Sequence, residues 1–257
     1  MEIVQIPYDS GSLDKNSGAS LGPLSIIKQL KKIIEERSQT TYFETNEIKV
    51  NLQNVDQTMT TIEETEADIF VGGDHSITYG TVKAFAKKHK NFGLIIFDAH
   101  PDLEVGTKSV SHEDYLRKLF DEKIITPEQV LLVGARAISK NEAEFIQKNN
   151  IRTVTMKQFV EEAINDTCDT IMEFAYQFNS VYVSFDIDSV DACFVPGTGY
   201  PEVGGILPRE ALYIIQRLKK MKNLRGFDLV EVNPKKDTDN ITVQLGAEIL
   251  YALLKKE

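Results

Sequence analysis

Asp98, His100 and Asp102 stand in DAHPD (98–102), directly after the apolar run GLIIF, and Asp186 and Asp188 stand in SFDIDSVD directly after VYV. A β-branched and aromatic run that stops at a D-x-H or D-x-D triplet reads as a buried parallel strand ending at the rim of a sheet. In open α/β sheets that rim is where ligands bind. Along an extended strand end, residues i and i+2 share a side, so Asp98 with His100, and Asp186 with Asp188, are expected to face one point in pairs. Three of the four histidines, His75, His100 and His112, lie in or beside such strand ends. Only His89, in KKHK, lies elsewhere and reads as a solvated helix end. His75 stands in VGGDHS, where Gly72 and Gly73 permit a tight turn before Ser76 opens a helix. The candidate ligand set is then His75, Asp98, His100, Asp102, Asp186 and Asp188. Any one of these aspartates could equally cap a helix; that reading does not cover six with jointly restrictive spacing.

Ligand chemistry narrows the cation. A carboxylate-rich site with imidazole and no thiolate suits manganese better than zinc. A carboxylate shared by two ions, with Asp98 and Asp186 as candidates, would hold them roughly 3.5 to 4 Å apart, as in two-metal hydrolytic sites. Such a pair lowers the pKa of a shared water toward neutrality. The expected chemistry is hydrolysis, with two Mn2+ per chain.

The elements that must position these residues alternate along the whole chain. EIVQI (2–6), DIFVGG (68–73), GLIIFD (93–98), QVLLVGA (129–135), IRTVT, VYVSFD (181–186) and LRGFDLVEV (224–232) read as strands. Helical spacing fits 22–37, 76–90, 112–121, 139–149, 157–178, 208–222 and 239–255. This β-α-β-α order predicts an α/β fold with a mainly parallel sheet covered on both faces. No repeat, low-complexity tract or Pro/Ser-rich linker interrupts it, so a single domain over 1–257 is expected. Residues 189–208 lack a periodic signal, and a loop of that length beside a carboxylate pair is expected to form a wall of the site.

Composition excludes several function classes. The 257 residues carry a formal charge of −10, which argues against a nucleic-acid partner and suits a cationic substrate. No apolar run reaches the ~18 to 20 residues that span a bilayer, and MEIVQIPYD lacks the basic start and apolar stretch of a signal peptide. A cytoplasmic protein with no membrane partner is expected. Cys168 and Cys193 lack C-x-x-C spacing and read as reduced thiols.

The blocks GGDHS (72–76), DAHPD (98–102), SFDIDSVD (184–191), PGTGYPEVGG (196–205) and DLVEVNP (228–234) resemble, in order and spacing, the signatures of the ureohydrolases: arginase, agmatinase, formimidoylglutamase and relatives. The resemblance runs from about Gly22-Pro23 to the C-terminal helix. It implies a three-layer αβα fold around an eight-stranded parallel sheet, a binuclear manganese cluster at its rim, and hydrolysis of a guanidino or formimino group. His75, Asp98, Asp102 and Asp186 would hold one manganese; Asp98, His100, Asp186 and Asp188 the other. Glu231 would bind the guanidinium, a charge-assisted pairing that orients the central carbon. His112 would be the proton shuttle and Asp102 would pass a proton to the departing nitrogen. The resemblance also implies a small cationic substrate and a homo-oligomer, a trimer or a hexamer.

The departures from that pattern bear on substrate. Asp191-Ala192 replaces the usual D-P, which removes a rigid residue and brings Cys193 into the loop. Tyr200 replaces a threonine and puts a bulkier group beside the pocket, while the loop before His112 is a few residues short. In VGARAIS (133–139), Ala137 stands where arginases carry an aspartate that recognises the substrate α-amino group. Without that anchor a zwitterionic amino-acid end is less well served, which favours an agmatinase-like activity that releases urea and an amine; Tyr200 and Cys193 read as loop packing. The alternatives are arginase or formimidoylglutamase activity and, from another class, a non-catalytic metal-binding member. A deacetylase-like single-zinc enzyme would need a His-His dyad, which the chain lacks.

Overall fold

The computed structural model describes residues 1–37, 41–106 and 109–255. Among the described residues eight strands form one sheet: β1 (Glu2–Ile6), β2 (Glu44–Glu47), β3 (Ile69–Gly72), β4 (Phe92–Phe97), β5 (Val130–Val133), β6 (Arg152–Val154), β7 (Ser180–Asp186) and β8 (Leu224–Val230). Their order across the sheet is β2-β1-β3-β8-β7-β4-β5-β6, and every pairing is parallel.

Side-chain parity divides the core. On β4, Ile95 and Phe97 enter one apolar cluster while Leu94 and Ile96 enter the other; on β7, Val181, Val183 and Phe185 face the first and Tyr182 the second. The first cluster is capped by α1 (Gly22–Glu36), α7 (Ile164–Ala175), α8 (Pro208–Leu218) and α9 (Ile241–Leu254), with α6 (Met156–Glu161) at its margin. On the opposite face lie α2 (Val55–Glu63), α3 (Ile77–Lys88), α4 (Tyr115–Asp121) and α5 (Lys140–Asn149). The result is the expected three-layer αβα arrangement. β4 and β7 are buried at every position, which is why they read as continuous apolar runs without alternation. The sheet ends in short polar edges, β2 with ETNE and β6 with RTV, a composition that discourages further strand pairing.

Two local readings need correction. The helix expected over 157–178 is two helices, because Glu162 and Ala163 adopt extended backbone between them. His89 is not a fully solvated helix end: it closes α3, stacks on Phe85 at 4.1 Å, and its Nδ1 lies 2.9 Å from Ser180 Oγ.

Candidate active site

The functional residues expected from sequence leave the C-terminal ends of four strands that are neighbours in space, β3, β8, β7 and β4. His75 follows β3, Glu231 follows β8, Asp186 and Asp188 end β7, and Asp98, His100 and Asp102 follow β4. The pairs are formed differently from the extended alternation expected. Asp98 Oδ1 accepts the His100 backbone N–H at 2.6 Å and Asp186 Oδ1 accepts that of Asp188 at 2.7 Å. Each strand thus ends in a turn closed by its own aspartate, which brings residues i and i+2 to one place by curling the backbone. Asp74 closes the same turn on the Ser76 N–H at 2.9 Å. Before it, Gly73 is required by close approach: a Cβ there would sit 1.9 Å from the Tyr8 carbonyl oxygen.

All six candidate ligands meet. His75 Nδ1 lies 2.9 Å from Asp98 Oδ2, 3.1 Å from Asp102 Oδ2 and 3.2 Å from Asp186 Oδ2. His100 Nδ1 lies 3.1 Å from Asp188 Oδ2 and 3.4 Å from Asp98 Oδ1. Two ligand groups result, one around His75 and one around His100, and Asp98 contributes an oxygen to each. These contacts are short, yet His75 Nδ1 and Asp98 Oδ2 are buried without a hydrogen bond. Donor atoms that approach this closely without hydrogen-bond alignment converge on a common point, the geometry a cation requires. The oxygen-rich, thiolate-free donor set fits a divalent ion such as manganese.

The electrostatics of the cluster point to a cation as well. Burial and the neighbouring Asp98 push Asp102 up to about 7. Burial, with Asp188 and Asp98 close by, raises Asp186, and burial with Asp98 raises Asp188. Asp98 goes the other way: burial opposes its ionisation, but His100 and His75 outweigh it. So many carboxylates repel one another unless cationic charge stands between them, and a bound divalent ion draws all of them to the ionised form.

Behind the ligands lies a buried hydrogen-bond relay that sequence reading missed. Asp228, fully buried, accepts from Ser184 Oγ at 2.6 Å, Tyr182 OH at 2.9 Å, Thr78 Oγ1 at 3.0 Å and Thr81 Oγ1 at 3.2 Å. Ser184 gives its only proton to Asp228, so it accepts from His75 Nε2, 2.9 Å away. With Nε2–H committed to Ser184, Nδ1 is the ring atom turned toward the carboxylates. Burial opposes the ring's protonation, but Tyr115 and the carboxylate contacts outweigh it and raise the His75 pKa; a bound cation would take the place of the Nδ1 proton. A signal was present in the strands, since Tyr182, Ser184 and Asp228 interrupt the buried parts of β7 and β8 with polar groups.

Glu231 and His112 also touch. Glu231 Oε1 accepts the His75 N–H at 2.6 Å and lies 3.2 Å from His112 Nδ1. Burial lowers the His112 pKa, but the Glu231 hydrogen bond and charge outweigh it and push it up to about 9. His112 Nε2 is buried without a hydrogen bond, 3.9 Å from Glu113 Oε1. Asp102 and Glu231 have φ of 54° and 68°, the left-handed region where non-glycine residues are uncommon and cluster at functional sites.

A cleft of about 420 Å³ opens over these groups, lined by the six ligands, His112, Glu231, Ala137 and Tyr200, with Glu104, Glu113 and Glu142 around them. Tyr200 lies between two histidines, stacked on His112 and tilted to His100 at 5.6 Å each, and its hydroxyl donates to Glu113 at 3.0 Å. Of the stretch 189–208, expected to wall the site, Tyr200 lines the cleft and Glu202 Oε1 lies 3.8 Å from His100 Nε2. Arg136 donates to six of the surrounding carbonyls, including those of Asp188 at 2.8 Å and Glu202 at 2.9 Å. Asp191 accepts the N–H groups of Cys193, Gly204 and Gly205. These contacts hold the loop although Ala192 replaces a rigid residue. Cys193 is exposed and Cys168 buried, both as free thiols.

The arginase family model matches residues 1–255. The chain belongs to the arginase family. It is 29% identical to an arginase of Staphylococcus aureus over 97% of this chain and 95% of that protein. A mitochondrial agmatinase of Gallus gallus is 31% identical over 98% and 79%. The solved structure of proclavaminate amidino hydrolase from Streptomyces clavuligerus superposes with a TM-score of 0.88 at 30% identity, covering 98% of this chain and 90% of that one. This arginase-family chain is accordingly a metal-dependent hydrolase of the ureohydrolase type. Among the described residues no helix is long and apolar enough to cross a membrane.

Proposed function

We propose that the protein is a binuclear manganese ureohydrolase of agmatinase type, cleaving the guanidino C–N bond of a decarboxylated substrate to release urea and an amine. The observation that carries the substrate reading is the charge of the cleft. Glu104, Glu113, Glu142 and Glu231 line it, and no Lys or Arg stands among its described lining residues. A substrate cationic at both ends suits four carboxylates; arginine or formimidoylglutamate would bring a carboxylate of its own against them. Ala137, which offers no polar group on its side chain, donates only its backbone N–H, to the Ala99 carbonyl at 3.0 Å.

His75, Asp98, Asp102 and Asp186 would hold one Mn2+, and Asp98, His100, Asp186 and Asp188 the second. When bound, the pair supplies the Lewis acidity that makes water nucleophilic at neutral pH. Glu231 binds the guanidinium and sets its carbon over the ligand cluster. Addition of the water oxygen to the guanidinium carbon gives a tetrahedral carbon bearing a hydroxyl. As it collapses, ionised Asp102 takes that hydroxyl proton on Oδ2, the C=O bond of urea forms, the C–N bond to the tail nitrogen breaks, and Asp102 hands the proton to that nitrogen. His112, protonated at neutral pH through its contact with Glu231, supplies the further proton with which the amine departs. Tyr200 forms the wall between His100 and His112. The reading extends to one domain over 1–257, acting in the cytoplasm as a homo-oligomeric trimer or hexamer.

The test is urea release by the Mn2+-reconstituted protein, with agmatine and arginine compared at equal concentration. Preference for agmatine is expected, and preference for arginine would overturn the substrate reading. Asp98→Asn or Asp186→Asn should each abolish turnover; full activity in either would overturn the two-metal assignment.

A further inference from the structure

Glu231 is the carboxylate assigned to the guanidinium under the proposed function, and a role for its neighbour Asn16 rests on that reading. Glu231 Oε1 carries two partners, the His75 N–H and His112 Nδ1. Its Oε2 accepts from Asn16 Nδ2 at 2.5 Å, and the same amide nitrogen reaches the Glu231 carbonyl at 3.1 Å. Among the described residues, no Lys or Arg contacts this carboxylate. Asn16 comes from the loop before α1, 215 positions away in sequence, and is fully buried.

The amide has one workable orientation. Asn16 Oδ1 accepts from Asn233 Nδ2 at 2.7 Å, and Asn233 also donates to the Ser17 carbonyl at 3.1 Å. A flipped Asn16 would set its oxygen against the Glu231 carboxylate and its amino group against that of Asn233, losing both bonds. Asn233 is held in turn by the Lys235 N–H on its Oδ1 at 2.9 Å. Packing leaves little room to move, since a Cβ on Gly199 would come within 2.9 Å of Asn16 Cβ.

We propose that Asn16 is a positioning residue for guanidinium recognition: its locked, uncharged amide occupies one lone pair of Glu231 Oε2 and leaves the carboxylate's charge to the substrate. A carboxylate offers about four acceptor directions. Asn16 takes one on Oε2, which leaves one there. On Oε1 the second contact requires the substrate to take the direction that His112 Nδ1 holds in its absence. Those two directions lie on the two oxygens, as a paired guanidinium contact requires. A Lys or Arg at position 16 would hold the same oxygen but neutralise it inside a desolvated site, and an Asp would repel it.

The experiment compares wild type, Asn16→Ala, Glu231→Gln and the double variant as Mn2+-loaded proteins with agmatine. Loss of a hydrogen bond to a charged group predicts a fall of about 10- to 100-fold in kcat/KM for Asn16→Ala, chiefly through KM. Mn2+ affinity should stay at the wild-type level. In the Glu231→Gln background, Asn16→Ala should add no further loss, because the residue acts only through that carboxylate. Wild-type kinetics in Asn16→Ala, or an additive loss in the double variant, would overturn the inference. The Asn16 side-chain amide resonances report the contact without turnover: the proton facing Glu231 should shift upfield in Glu231→Gln, and unchanged resonances would overturn the proposal. A wild type that turns over no guanidino compound would instead overturn the functional reading, while the resonances still test the contact.

Discussion

His75 carries two kinds of demand, and its two ring nitrogens divide them. Nδ1 faces Asp98, Asp102 and Asp186, while Nε2 is held by Ser184 at 2.9 Å and Tyr115 at 3.1 Å. Because Asp228 takes the Ser184 proton, substituting Asp228→Asn offers Ser184 an amide donor and releases that proton toward His75, favouring the tautomer whose Nδ1 is protonated. We expect Mn2+ affinity to fall about 10- to 100-fold, the usual cost of losing an outer hydrogen-bond partner, read by titration of the metal-free protein. An unchanged affinity would show that the relay does not set the tautomer. His112 predicts a pH dependence. Its pKa rises from 6.5 to about 9 through Glu231, so folding favours its protonated form. The stabilisation is full below about pH 6.5 and disappears as pH rises through about 9. Denaturant unfolding of wild type and His112→Asn between about pH 6 and 10 checks this: the two should converge toward alkaline pH, and a gap independent of pH would contradict it.

At the scale of elements, the site depends on how strands stop. Asp98 and Asp186 end β4 and β7 by accepting an N–H two residues on, so each has a backbone duty besides its place among the ligands. Asp98→Asn keeps part of the turn and loses the charge, which separates the two duties. The loop over 189–205 depends on Arg136, whose guanidinium reaches carbonyls on both of its flanks. Arg136→Met should cost about 2 kcal/mol of stability and speed amide hydrogen exchange across 189–205 well above the change elsewhere. Uniform exchange over the molecule would mean that Asp191 alone holds the loop. The segment PGTGYP is legible as a loop because glycine and proline punctuate it. Its conformation was not legible, because the partners that hold it are Thr242, Asn233, Lys236 and Glu113, all distant in sequence. Thr242 lies 45 positions from Gly197, whose N–H its hydroxyl accepts at 2.9 Å, so no local pattern signals the contact.

For the whole molecule, an acidic chain gathers its carboxylates at one rim of the sheet, so cation binding and folding are coupled. Binding to the native state alone stabilises by about 2.7 kcal/mol per site at a hundredfold excess over Kd. Two sites in a protein of this size should raise Tm by about 10 °C. Calorimetry with added Mn2+, and again after chelation, checks this; a Tm indifferent to both would exclude tight metal binding.

What the sequence determined by itself was the set of residues with restrictive chemistry and the order of the elements that carry them. Buried parallel strands are mostly apolar, so β3, β4, β5, β7 and β8 announced themselves, and the Asp and His residues stood out where those runs stop. The polar edge strand β2 and the short helix α2, with its Asn54 cap on the Gln57 N–H, lack such contrast. The tertiary structure decided everything that joins distant segments. It set the strand order that makes β3, β8, β7 and β4 neighbours, the convergence of His75 on three aspartates, and the relay through Asp228. It also placed Asn16 on Glu231 and Tyr200 between two histidines. Periodicity reports which face of an element is buried; it carries no information about which buried face meets which. That is fixed by packing across the sheet, where residues hundreds of positions apart come within hydrogen-bond distance.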